Sequence, residues 1–156
     1  MATEFWKAGE DVHKMASAVL MGMMEDRTEL GLLDPDEIVI IMRDGDMPPK
    51  WGLVPGKIKK VGKDLPILTD KNYNYKYMFE ICGGTWNSMT EESRRGLLYH
   101  LFCHVDISEN ENSGEVNYKL RKPPIVAFPE ELEKYGMWWP SDRRDEVRSA
   151  LEGCLE

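Results

Sequence analysis

His100 and His104 stand four positions apart in the run Leu97-Leu98-Tyr99-His100-Leu101-Phe102-Cys103-His104-Val105. On a helix that spacing stacks two imidazoles on one face. It is the way a zinc site takes two nitrogens from one helix. The hydrolytic form of the pattern is H-E-x-x-H, in which the glutamate after the first histidine takes a proton from the zinc-bound water and passes it to the leaving amine. Here that position is Leu101, whose side chain can neither accept nor donate a proton. Zinc would still polarise a water, but acid/base catalysis has no agent at the usual place. The spacing alone also suits a pair kept for packing, because a metal site needs a third ligand and support behind each imidazole. Cys103, next to His104, points in another direction on a helix. The three cysteines, Cys82, Cys103 and Cys154, form no CxxC pair and read as small buried hydrophobes of a reducing compartment.

The elements that must position this pair follow from periodicity and turn residues. Thr90 opens the histidine-bearing helix as its N-cap, with Glu91 and Glu92 in the dipole-favoured first turn, and the helix runs to about Val105. Leu97, Leu98, Leu101, Phe102 and Val105 make its buried stripe, and the histidines fall at the margin. Residues 11–30 predict a first helix, with Val12, Met15, Ala16, Val19, Met23 and Met24 on its apolar face. The Ile/Val run of residues 37–43 predicts a buried strand. Residues 57–61 predict a half-exposed second strand. Residues 75–82 predict a third, with Tyr75, Tyr77, Phe79 and Ile81 on one face and Gly83-Gly84 breaking it. Residues 107–114 read as an acidic, flexible stretch, and 115–121 as a fourth strand. Residues 128–135 predict a short helix ended by Gly136, and Ser141 caps a last helix carrying Val147, Ala150 and Leu151 inward.

The order of these pieces resembles a known family. The strand Ile38-Val39-Ile40-Ile41 followed by Arg43-Asp44-Gly45, then Gly56-Lys57-Ile58-Lys59-Lys60-Val61, Tyr77-Met78-Phe79-Glu80-Ile81 and Thr85-Trp86, the helix Met89 through His100, and the tail Glu133-Lys134-Tyr135-Gly136-Met137-Trp138-Trp139-Pro140 together resemble the zincin-like, SprT-style metallopeptidases encoded by bacteriophages. The resemblance covers residues 37–140. It implies a single α+β domain: a mixed or antiparallel sheet of about four strands packed against the histidine helix, with N-terminal and C-terminal helices. It also implies zinc on His100 and His104, with a third ligand from a downstream His-Asp pair. This chain departs from the pattern twice. Leu101 replaces the glutamate, and Pro123-Pro124 falls where the His-Asp pair belongs, so the expected third-ligand position is Pro123. Residues 122–128 hold no His, Asp, Glu or Cys. Asp106, Glu109, Glu130 and Glu131 are the substitute ligands that another segment could bring in.

Composition sets the remaining expectations. The chain has 156 residues, 42% hydrophobic and 31% charged, a globular mix for one domain. No run is apolar enough to span a membrane and no signal peptide stands at the start, so we expect a cytosolic protein, in the bacterial host if phage-encoded. A net charge of −8 disfavours direct nucleic-acid binding, which needs cations against phosphate; it keeps a chain in solution, the commoner case, or suits a basic protein surface. The lysines near residue 57 (Lys57, Lys59, Lys60, Lys63) read first as a strand's solvent face and second as a phosphate contact.

We therefore expect a catalytically inactive member of such a family that binds a host or phage protein, in counter-defence or host takeover. Trp138, Trp139, Glu109 and Glu111 are the candidate contacts, with Trp51 beside them, and core packing is the competing role for the tryptophans. We expect no cofactor, with zinc as the alternative. The alternative is a zinc-dependent hydrolase with displaced ligands. A structural or regulatory homo-oligomer is a third reading on which the sequence is silent.

Overall fold

A computed structural model describes residues 4–44, 54–61, 75–121, 129–139 and 144–155, with only the backbone at Pro129 and at residues 151–155. Trp51, Lys63, Pro123, Pro124, Phe128, Ser141 and the side chain of Cys154 therefore lie outside the described residues.

The protein is an α+β fold built on a four-stranded mixed sheet. Strands β1 (Phe5–Lys7), β2 (Ile38–Arg43), β3 (Gly56–Lys60) and β4 (Tyr77–Cys82) lie in the order β1-β2-β4-β3. The β2–β4 pair is parallel, in the register Ile38↔Tyr77 to Arg43↔Cys82, and the two outer pairings are antiparallel. Residues of one sheet face (Ile38, Ile40, Met42, Tyr77, Phe79 and Ile81) are buried. They share one apolar core with helix α1 (Glu10–Met23) and the histidine helix, here α3 (Glu91–Cys103). Phe79 meets Phe102 of α3 edge-on, with ring centres 4.9 Å apart, so the sheet grips the helix directly behind the histidines.

The ends of α3 explain its fixed register. Thr90 Oγ1 accepts from the Ser93 amide at 3.1 Å, with Glu91 and Glu92 in the first turn. At the other end two arginines donate to the last carbonyls. Arg27 Nη2 reaches Val105 O at 2.7 Å and Nη1 reaches Phe102 O at 3.5 Å, while Arg121 Nε donates to Cys103 O and its amide to His104 O. Cations at a helix C-terminus also oppose the negative end of the dipole.

That capping explains the first departure from expectation. The N-terminal helix stops at Met23 instead of Leu30, and a 3₁₀ turn follows at Thr28–Leu32. The chain turns between them and brings Arg27 to the end of α3. Tyr75 precedes β4 rather than lying in it, and its hydroxyl accepts from Lys7 Nζ at 3.2 Å. After β4, Gly83 and Gly84 do not simply break the chain. They open a short helix, α2 (Gly83–Ser88).

The acidic stretch expected to be flexible begins with a strand, β5 (Val105–Glu109). It forms a hairpin with β6 (Val116–Leu120). This hairpin is a second sheet, so residues 116–120 do not supply the fourth strand of the main one, and β1 does. Val105 and Ile107 are buried while Asp106 and Ser108 are exposed, which is the alternation of a half-buried strand. Helix α4 (Pro129–Tyr135) ends at Gly136, where φ is +60°, and α5 (Arg144–Leu155) turns Val147 into the core.

Candidate functional site: a buried histidine pair

His100 and His104 face one another. Their Nε2 atoms are 3.2 Å apart and their rings meet edge to face with centres 5.0 Å apart. His100 is buried at 3% exposure and His104 is half-buried. What stands behind each ring fixes its protonation pattern. His104 Nδ1 is 2.8 Å from the main-chain carbonyl of Arg121, which can only accept, so Nδ1 carries the proton. His100 Nδ1 is 2.6 Å from Glu131 Oε1 and donates to it. With both Nδ1 atoms donating, two Nε2 lone pairs point into one gap. A proton or a metal ion held between the two nitrogens would make that contact attractive.

Glu131 was one of four carboxylates able to approach from another segment, and among those four it is the one that reaches a histidine. It is fully buried, and its second oxygen, Oε2, accepts from the indole Nε1 of Trp138 at 2.7 Å. Asp106 and Glu109 are exposed on the hairpin. Glu130 pairs with Arg121 at 2.6 Å. Cys103 is buried and its thiol is pushed far above the usual range, first by burial and then by Glu130 and Glu131. Burial, and after it the neighbouring His100, lowers the proton affinity of His104.

Trp138 and Trp139, candidates for an exposed contact, are both buried, at 2% and 0% exposure. The competing packing role is the one they fill. Their rings stack at 4.3 Å, and Trp138 also lies 5.9 Å from the His100 ring. Gly96, one turn before His100, makes room for this. A Cβ there would fall 2.4 Å from Trp138 Cβ and Cγ. Glu109 and Glu111 are exposed near the hairpin tip. The tip is an ordered turn, with Asn110 Oδ1 accepting from the amides of Asn112 and Ser113 at 2.9 and 3.3 Å.

The donor set can be tested against zinc. Ligands at about 2.05 Å and a tetrahedral angle are roughly 3.3 Å apart, so the Nε2 separation suits two ligands of one ion. Each imidazole has the backing that metal-bound histidines have. A catalytic zinc site takes three protein ligands, however, and no cluster of three His, Cys, Asp or Glu side chains able to hold a metal exists among the described residues. The two Nε2 atoms thus have the spacing of two ligands of one ion, with no third such side chain beside them among the described residues.

The base position is also filled by the core. Leu101 is 1% exposed, and its Cδ1 packs under Gly56 of β3, beside Leu97. The family described as "Putative phage metallopeptidase" matches residues 4–151. This chain belongs to that family. No curated protein and no solved structure matches it. Within this phage metallopeptidase family member, the glutamate of H-E-x-x-H is the missing letter and Glu131 is the residue that sequence reasoning left among several. Its only sequence signal was a carboxylate in a short helix after the expected third-ligand position. Among the described residues, no helix is long and apolar enough to cross a membrane.

Proposed function

We propose that this phage metallopeptidase family member has given up peptide hydrolysis and acts by binding a protein. One observation carries the reading: the position of the catalytic glutamate is a leucine packed into the core, and the carboxylate nearest the histidines is committed behind them. Glu131 uses Oε1 for His100 Nδ1 and Oε2 for Trp138 Nε1. A general base must stand on the Nε2 side, within hydrogen-bond reach of the water to be activated. Glu131 stands on the opposite side of the ring, with both oxygens engaged. Zinc, when bound, would polarise a water. The chain's own residues supply no proton carrier for it among those described.

The surface favours a basic protein as partner. The chain carries −8 overall, and the β5–β6 tip presents Glu109, Glu111 and Glu115 on an ordered turn. Exposed like charges on a preorganised turn steer a complementary surface and set its orientation. A phage protein of this kind fits counter-defence or host takeover.

The test has two arms. Protein purified without a histidine tag and supplied with one equivalent of zinc should cleave neither casein nor a fluorogenic peptide library above a zinc-free control. Cleavage that disappears in both His100→Ala and His104→Ala would overturn the reading. In the second arm, a complex isolated from host lysate should weaken at least tenfold in the Glu109→Lys/Glu111→Lys double variant and with rising salt.

The second reading, a zinc hydrolase with displaced ligands, is favoured by the convergence of the two Nε2 atoms. Elemental analysis of untagged protein checks it, and less than about a tenth of an equivalent of zinc would end it.

A further inference from the structure

Trp138 lies outside the histidine motif, yet three independent contacts converge on it. Its indole lies across α3 at Gly96, where any side chain would collide with its Cβ and Cγ at 2.4 Å. Its outer face stacks on Trp139 at 4.3 Å. Its Nε1 donates to Glu131 Oε2 at 2.7 Å, and Glu131 Oε1 is held by His100 Nδ1 at 2.6 Å. The ring cannot slide along the helix, because Gly96 is its seat, and it cannot tilt freely, because Trp139 backs it.

We infer that Trp138 is a positioning residue that fixes the tautomer of His100. By occupying one oxygen of a carboxylate that is 0% exposed, it aims the other oxygen at His100 Nδ1. The imidazole then carries its proton on Nδ1 and turns its Nε2 lone pair towards His104. Two solutions thus serve the two rings. His104 is set by a main-chain carbonyl, that of Arg121, which no side-chain change removes. His100 is set by a side-chain relay that depends on an indole N–H from another segment and on a glycine one turn earlier in its own helix. Without the indole donor, the buried carboxylate loses one of its two hydrogen bonds and has reason to rotate. His100 can then place its proton on either nitrogen.

The inference rests on the pair's acting as a cation seat for one of its two readouts only. Uniformly ¹⁵N-labelled full-length protein, held metal-free, gives the histidine tautomers from long-range ¹H–¹⁵N correlations. Wild type should show His100 and His104 each protonated on Nδ1. Trp138→Phe, which keeps an aromatic ring but removes the donor, should leave His104 unchanged and turn His100 into a mixture of tautomers. The same variant should bind cobalt(II), followed by its visible absorption, at least tenfold more weakly than wild type. Trp86→Phe, a buried tryptophan outside the relay, should change neither. If Trp138→Phe does not fold, Glu131→Gln removes the charged acceptor at nearly constant volume and should give the same mixture at His100. A single Nδ1–H tautomer at His100 in the folded variant overturns the proposal. Wild type that takes up no cobalt sinks the cation-seat reading while leaving the tautomer result to decide on Trp138 alone.

Discussion

His100 and His104 are matched at Nε2 and unlike behind Nδ1, and that difference decides how each responds to change. His104 hangs from a backbone carbonyl, in a half-buried place that lowers its proton affinity through burial and through His100. Its folded proton affinity lies below the ordinary value of 6.5. Unfolded chain therefore takes up a proton that the native protein refuses. The stability from this group is complete above about pH 6.5 and is lost as the pH falls through the lower folded value. With chelator present, the urea midpoint should drop between pH 7 and pH 5, and drop less in His104→Gln. A midpoint that rises over that range would contradict the burial argument. Leu101 gives a second expectation. Leu101→Glu restores the letter of H-E-x-x-H but places a carboxylate under Gly56 in the core. It should cost about 3 kcal/mol or more in denaturant unfolding and add no peptidase activity. A tolerated, active Leu101→Glu would mean that the side chain turns into the cleft.

At the scale of elements, Gly96 sets two effects against each other. In a helix interior, alanine is favoured over glycine by about 1 kcal/mol. Here its methyl would meet Trp138 Cβ and Cγ, atoms close to the main chain and unable to swing aside, and overpacking of that kind costs about 1–3 kcal/mol. The clash should win. Gly96→Ala should lower stability, and the near-ultraviolet circular dichroism of the Trp138–Trp139 stack should weaken. The histidine helix itself was legible because every signal agreed: Thr90 as N-cap, Glu91 and Glu92 in the first turn, and apolar residues at helical spacing. Elsewhere local signals pointed away from the tertiary answer. Gly83-Gly84 reads as a breaker but starts α2. Three residues, Phe5–Lys7, are too few to show a period. The acidic composition of the hairpin masked the alternation of Val105 and Ile107. The boundary at Met23 is set by Arg27 reaching the end of α3, a contact across 75 residues or more that no local pattern encodes.

For the whole molecule, the sequence carried the layered α+β architecture and the absence of the H-E-x-x-H glutamate. It could name Glu131 only among several carboxylates. The reason is physical: Glu131 and Trp138 join His100 through tertiary approach, and a fixed spacing along the chain implies contact only inside one element. The same limit left the two tryptophans open between contact and core packing, since an aromatic pair beside a proline looks alike in sequence whether it covers a site or offers a contact. The acidic hairpin is the feature whose value depends on the molecule's total charge, and the Glu109→Lys/Glu111→Lys variant is its test.

The packing of Glu131 and Trp138 against His100 has a consequence for timing. Helix α3 leaves the ribosome before the segment that carries them, so both imidazoles spend part of synthesis open to water and to any ion in it. Once the indoles settle, His100 is left at 3% exposure while His104 stays half-buried. The two rings that start out equally wet thus end with unequal access, and a water-borne reagent that modifies imidazole should reach His104 well before His100 in the native protein.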